Sequence, residues 1–312
     1  MHAHCRPSFV LALAATATFP ACDMPTAAAG DLVAAGPVNA SAQFSEWSPA
    51  VNLGATVNSP FNDILPTLSP DGLSLYFASN RPGSAGVDIW VARRASQDAP
   101  WGAPVNLGAP INTAGTESAP AISRDGHDLY FSSDRPGGQG SLDIWVSHRE
   151  HTDDDFAWEA PTNLGPNVNS AAFDAGSSLL RPEFYFTSTR DNAPNLDIYV
   201  SRVEGDVFGP ATRVDELSSP DNDQRPSVRF DGREIFFSSN RGMADGTQNI
   251  WVSTRQGRGH PWTSPVMLGP EINGPFFDQQ PSISWDGRTL FFTSNRPGGA
   301  GGFDLYMSTR TH

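Results

Sequence analysis

The chain contains no lysine. All 20 of its basic residues are arginine, set against 34 acidic residues, and the net charge is −14 at neutral pH. A nucleic-acid binder needs a basic footprint to displace counterions, so DNA and RNA are poor candidates as partners. Anionic membrane surfaces are disfavoured on the same grounds. Cysteine is nearly absent as well. Cys5 and Cys22 both fall in the first 22 residues, which leaves the rest of the chain without a disulfide framework or a thiolate metal site. No P-loop, dinucleotide fingerprint or nucleophile elbow is present either.

The amino terminus reads as a targeting segment. Arg6 precedes the apolar run Phe9 to Ala15, and small residues follow up to Ala21-Cys22. A basic start, a short apolar stretch and small residues make a secretory signal over residues 1–22. The run is too short and too rich in alanine to span a bilayer. Cys22 stands where a bacterial lipoprotein would carry its lipid, although Phe19 and Pro20 depart from the usual box. Ordinary cleavage after Ala27-Ala28-Ala29 is the alternative, and would remove both cysteines. Residues 23–44 are mostly Ala, Gly, Pro and Ser, too poor in large apolar groups to order themselves, and read as a tether. These features predict an envelope or periplasmic protein whose membrane contact is a lipid on Cys22.

Beyond residue 45 one sentence is written five times. Its repeated arginine falls at Arg81, Arg135, Arg190, Arg241 and Arg296, in steps of 54, 55, 51 and 55 residues. A fixed period of this length means an array of identical supersecondary units. Each unit carries four strand signals. Pro120-Ala121-Ile122-Ser123 is an inner strand, closed by the Asp125-Gly126 turn, where glycine accepts a positive φ. Leu129 to Ser133 follows, then a turn through Arg135-Pro136-Gly137, then Asp143-Ile144-Trp145-Val146-Ser147. The fourth strand, Trp158 to Leu164, holds Pro161 and so belongs at an edge. Four antiparallel strands at this period make a propeller blade. The second and third strands are apolar on both faces, as blades stacked face to face require.

The strand count predicts how the ring closes. The series opens on an outer strand, Trp47 to Leu53, and ends on a third strand, Phe303 to Ser308. Residues 46–53 are therefore expected to complete the last blade, giving an all-β, five-bladed propeller over residues 45–312.

The motifs Pro66-Thr67-Leu68-Ser69-Pro70-Asp71-Gly72, Pro226-Ser227-Val228-Arg229-Phe230-Asp231-Gly232 and Pro281-Ser282-Ile283-Ser284-Trp285-Asp286-Gly287 resemble the WD40-like Pro-Asp repeats of the TolB-like propeller family. The resemblance spans nearly all of residues 45–312. It implies a cell-envelope protein that binds and scaffolds. The extra N-terminal domain of the Tol-system propellers has no counterpart here. The third repeat departs from the pattern: Asp174-Ala175-Gly176-Ser177-Ser178-Leu179 leads to no Asp-Gly turn. Asn249 replaces the third-strand Asp, and Phe208 replaces an outer-strand Trp. Such departures read first as drift.

Three positions before each repeat's proline stands an acid: Asp63, Glu117, Asp223 and Asp278, with Asp174 in the equivalent place. A ring of five carboxylates at the channel mouth would be a ligand-binding site, and would suit Ca²⁺ or Mg²⁺ as the neutralising cation. The competing neutraliser is the repeated arginine, which makes bidentate bonds to carboxylates. The His148-Arg149-Glu150-His151 run resembles a metal cluster, but it lies in a loop, where solvation is the simpler reading. Trp285 stands alone among the turn residues that precede Asp-Gly.

The sequence therefore points to a non-catalytic envelope binder whose channel face takes a protein, peptide or glycan. The repeat leaves little chain for a separate catalytic domain. Glycoside hydrolysis needs two carboxyls with different pKa values, which near-identical repeats do not supply. The alternative is a carbohydrate-active enzyme of the five-bladed type that uses unrepeated carboxylates in the channel.

Overall fold

The computed structural model describes residues 44–191 and 194–312. The signal segment, Cys22 and the tether up to residue 43 lie outside the described residues. All regular elements among the described residues are strands, arranged as five antiparallel sheets. Blade I runs outward from the axis as Asp63–Leu68, Ser74–Ser79, Asp88–Arg93 and Val105–Asn106. Blades II, III and IV repeat this from inner strands Glu117–Ile122, Asp174–Leu180 and Asp223–Val228. Blade V takes Asp278–Ile283, Thr289–Ser294 and Asp304–Thr309 from the end of the chain and Val51–Asn52 from its beginning. The expected closure is observed: Val51 pairs with Met307 and Asn52 with Tyr306. Backbone bonds from Ser48 N–H to Thr309 and from Leu53 N–H to Leu305 extend the seam.

The second strands are buried because each is covered on both faces by neighbouring blades. All six residues of Ser74–Ser79 and of Glu234–Ser239 are buried. Aromatic residues fill the spaces between blades, as with Tyr130 against Phe184 and Trp47 against Phe236. Phe208 does the work of the missing tryptophan in blade III, packing edge-on against Phe184 at 5.1 Å.

Every inner strand carries one extra residue relative to its partner, a β-bulge two residues after the acid. The bulged residues are Leu65, Ala119, Gly176, Arg225 and Gln280, all at φ between 51° and 62°. In four blades the next residue is proline, which needs no ladder partner there. The bulge is held from the neighbouring blade. Leu65 N–H donates to Thr293 Oγ1, Gly176 N–H to Ser132 Oγ, Arg225 N–H to Thr187 Oγ1 and Gln280 N–H to Ser238 Oγ. Blade I has Ala78 at the hydroxyl position, and there an apolar contact of Leu65, Ala78 and Ala119 takes over. The bulged residues line the axis, with a side chain in every blade except III, where the residue is Gly176.

Candidate functional site

The five repeated acids are closed clamps. None of Asp63, Glu117, Asp174, Asp223 and Asp278 has exposed surface. Asp63 accepts from Ser59 N–H and Oγ at 2.5 and 2.9 Å, from Ser79 Oγ at 2.7 Å, and from the Arg81 guanidinium. Glu117 accepts from Thr113 N–H at 2.8 Å, Ser133 Oγ at 2.8 Å and Arg135 at 3.3 Å. Asp174 and Asp278 each meet their arginine, Arg190 and Arg296, at 2.6 Å, and Asp223 meets Arg241. Each arginine also donates to a backbone carbonyl of its own entry loop: Val57, Ile111, Val168, Leu217 or Ile272. A buried carboxylate is tolerable only when paired and fully hydrogen-bonded, and these are. Every partner belongs to the acid's own blade, so the ring binds loop to strand five times over. Among the described residues no three His, Asp or Glu side chains converge as a metal ion requires.

The third-strand acids follow the same logic. Asp88, Asp143 and Asp304 each accept an amide from an outer-strand asparagine: Asn106, Asn163 and Asn52. In blade III Arg213 replaces that asparagine and pairs with Asp197 at 3.0 Å. In blade IV both members change together, to Asn249 and Met267, so no carboxylate is left unpaired.

On the opposite end of the propeller lie the Asp-Gly turns, and here the blades differ. A second arginine, at the end of the third strand, reaches across three of the five boundaries. Arg149 of blade II meets Tyr76 of blade I and Asp155. Arg255 of blade IV clamps Glu183 of blade III at 2.5 Å, and Arg310 of blade V clamps Glu234 of blade IV at 2.5 Å. At the II–III boundary this clamp is missing. Blade III ends its third strand in Arg202-Val203-Glu204, and it turns its first hairpin through Arg181-Pro182 in place of Asp-Gly.

A cleft of about 510 Å³ opens at that boundary, lined by Ser123, Arg124, Asp125, Asp128, Leu179–Arg181 and Arg258. Arg258 donates to the carbonyls of Arg181 and Phe230 at 2.7 and 2.9 Å. Arg124 is exposed and makes no ion pair or hydrogen bond among the described residues. Burial alone would raise the Asp125 carboxyl, but the Ser123 hydroxyl at 2.6 Å and the His127 backbone N–H outweigh it and hold Asp125 below the ordinary carboxylate range. The position of Asp128 is Ser74, Glu183, Glu234 or Thr289 in the other blades, and of the three carboxylates Asp128 alone meets no arginine among the described residues. Its Oδ1 is 2.9 Å from His148 Nδ1, the cross-strand neighbour, and this bond raises the His148 pKa. The His127 ring stacks on His148 at 5.7 Å.

The axial channel is different in kind. Its cavity is small, about 80 Å³, and all five inner strands line it without contributing one carboxylate. Phe230 and Trp285 stand at its Asp-Gly end. Phe230 is 40% exposed. The other tryptophans pack inside: Trp158 and Trp262 lie under the Arg149 and Arg255 guanidinium groups. Sequence reasoning singled out Trp285, read His148 as part of a solvated loop although it ends the third strand, and passed over Asp128 and Arg124 as binding groups. Their one signal was their absence from the other repeats.

No family model matches the chain, and no curated protein does. Solved structures do. The catalytic domain of a GH62 α-L-arabinofuranosidase from Coprinopsis cinerea aligns at TM-score 0.58 and 13% identity, over 86% of this chain and 98% of its own. A GH43_1 enzyme from Xanthomonas citri aligns at 0.56 and 16% identity, over 83% and 90%. A TolB-type structure from Agrobacterium tumefaciens aligns at 0.49 and 18% identity, over 85% and 91%. At these identities the likeness establishes the five-bladed fold. It also corrects the expectation of a non-catalytic, non-enzymatic binder. That expectation rested on the lack of room for a catalytic domain beside the repeats. The alignment spans 98% of the arabinofuranosidase catalytic domain, so a propeller of this size needs no added domain to be an enzyme.

Proposed function

We propose that this chain is a carbohydrate-active enzyme that cleaves glycosidic bonds in the cleft between blades II and III. The cleft's two carboxylates, Asp125 and Asp128, carry the reading: they sit in unlike surroundings, and the channel wall offers none. Glycoside hydrolysis uses one ionised carboxylate and one group that delivers a proton to the leaving oxygen. Asp125 is held ionised by its donors and serves as the base or nucleophile. His148, held by Asp128 and with its pKa raised by that bond, is the group that delivers the proton to the leaving oxygen. Arg124, with no partner of its own, is placed to engage the substrate's oxygens. The cleft's 510 Å³ is in the range of small-ligand sites and accommodates a sugar ring, whereas the channel's 80 Å³ does not. The five-bladed hydrolases described above support the fold's competence for this chemistry.

The Pro-Asp character of the repeats fits an origin among the TolB-like propellers. A secreted, lipid-anchored location at Cys22 suits an enzyme acting on envelope or extracellular glycans. Fractionation of the full-length protein and its Cys22→Ser variant tests the anchor. The activity is tested by incubating the purified chain with a panel of arabino-, xylo- and gluco-oligosaccharides and their uronate-bearing forms. Release of shorter products detected by mass spectrometry is the expected result. An untouched panel overturns the reading.

A further inference from the structure

The channel holds hydrogen-bond donors that nothing among the described residues satisfies. Arg225 is the bulged residue of blade IV and lines the channel. Its Nε and Nη1 are enclosed and have no hydrogen-bond partner. Burial alone pulls its guanidinium down to about 10, so it remains a cation at neutral pH, and no carboxylate stands close enough to oppose that burial. The buried arginines among the described residues, Arg81, Arg149, Arg229, Arg255 and Arg310, are each paired with a carboxylate. Ser177, also on the channel wall, has a buried Oγ without a partner. It stands where the other four blades have proline: Pro66, Pro120, Pro226 and Pro281. Gln280, the bulged residue of blade V, spends its Oε1 on Leu65 N–H at 3.2 Å, and its Nε2 has no partner among the described residues.

The third repeat's irregularity makes this arrangement. A Cβ on Gly176 would lie 2.5 Å from Arg225 Cδ and 2.6 Å from Nη1. The glycine is not required by the backbone, because Leu65, Ala119 and Gln280 adopt the same positive φ with side chains. It is required by the guanidinium that lies across it. Gly176 and Ser177 thus replace a side chain and a proline with space and a hydroxyl, next to the one charged residue of the five-membered bulge ring.

A guanidinium whose Nε and Nη1 are enclosed without an acceptor is unfavourable by the general rule for buried charge. We infer that the axial channel is an oxyanion site, in which Arg225, Ser177 and Gln280 hold a carboxylate or phosphate group. The acceptor-rich oxyanion complements three donors, and guanidinium is the side chain best matched to its planar or tetrahedral oxygens. The cavity of about 80 Å³ admits one such group and not a sugar ring, so the rest of the ligand stays outside, against Phe230 and Trp285. This site is independent of whether the neighbouring cleft hydrolyses glycans.

The test is calorimetric titration of the full chain with inorganic phosphate, with acetate, with glucuronate and with neutral glucose, in buffer otherwise poor in oxyanions. Saturable binding of phosphate or of the carboxylates, one per chain, is expected, with no binding of glucose. Tighter phosphate binding assigns a phosphorylated ligand, and tighter glucuronate binding assigns an acidic sugar. Arg225→Met should weaken binding at least tenfold, and Ser177→Ala should weaken it more mildly without disturbing the fold. Arg258→Met, in the cleft, should leave it unchanged. No saturable oxyanion binding, or equal binding by the Arg225→Met and parent chains, overturns the proposal.

Discussion

Arg225 of blade IV lies across Gly176 of blade III, occupying the space a side chain would fill at that position. The two residues are matched although they come from different copies of the repeat. Gly176→Ala should therefore behave unlike an ordinary glycine substitution at positive φ, which costs about 1 kcal/mol. The added methyl has to displace the guanidinium. A larger loss of stability is expected, of about 2–3 kcal/mol, the scale of overpacking. Combining Gly176→Ala with Arg225→Met should recover much of it. Urea denaturation of the two single variants and the double variant closes the cycle; strict additivity would show that the residues do not interact.

The Asp63–Arg81 clamp is enclosed on both sides, while Arg202–Glu204 lies in solvent. Asp63→Asn leaves a buried guanidinium without its counter-charge and should cost about 3–5 kcal/mol. Glu204→Gln should cost less than about 0.5 kcal/mol. Thermal melts of both variants check the contrast, and comparable losses would remove the structural role assigned to the carboxylate ring.

Ring closure by the first strand makes a third expectation. Blade V has only three strands without Val51–Asn52, and Trp47 packs there on Arg310 and Phe236. Asn58 adds a second tie, exchanging hydrogen bonds with Leu305 N–H and carbonyl at 2.8 and 3.0 Å. Removing residues up to 52 should lower stability by several kcal/mol, about what a buried tryptophan and a handful of hydrogen bonds provide. Calorimetric unfolding with an unchanged midpoint would mean the ring closes by other means.

Much of this was legible in the sequence. The period of the arginines, the Asp-Gly turns and the position of Trp47 relative to Phe303 are local signals, and they were enough for five blades and for the exchanged strand. The acids at Asp63 to Asp278 were correctly placed at the start of the inner strands. Their direction was not readable, because it depends on Ser59 and Arg81 folding back on them through loops. Arg225 was invisible for a related reason. Its lack of a partner is a property of Gly176 and Ser177 one blade away, and no spacing rule links repeat three to repeat four. The cleft was likewise announced only by the missing Asp-Gly turn of blade III, which reads as drift until Asp128 and Arg124 are seen facing it.

The Asp128–His148 pair gives a pH dependence with a definite sign. The hydrogen bond to Asp128 raises the His148 pKa in the folded chain. Its contribution to stability is present below the ordinary histidine value of about 6.5 and fades as pH rises through the raised value. The pair is largely exposed, so that contribution is small, at most about 0.5 kcal/mol. Proton NMR of the His148 ring should report the raised value, and Asp128→Asn should return it toward the ordinary one. A titration unchanged by that substitution would break the assigned pairing. If His148 supplies the proton for cleavage, hydrolysis should decline across the same upper limb.

The most direct measurement is the initial rate of oligosaccharide cleavage by the parent chain and by His148→Gln. Removal of a general acid typically costs a factor of about 10² to 10⁴. The account predicts measurable cleavage by the parent chain and a loss of at least about a hundredfold in the variant. Cleavage that survives His148→Gln undiminished would contradict it.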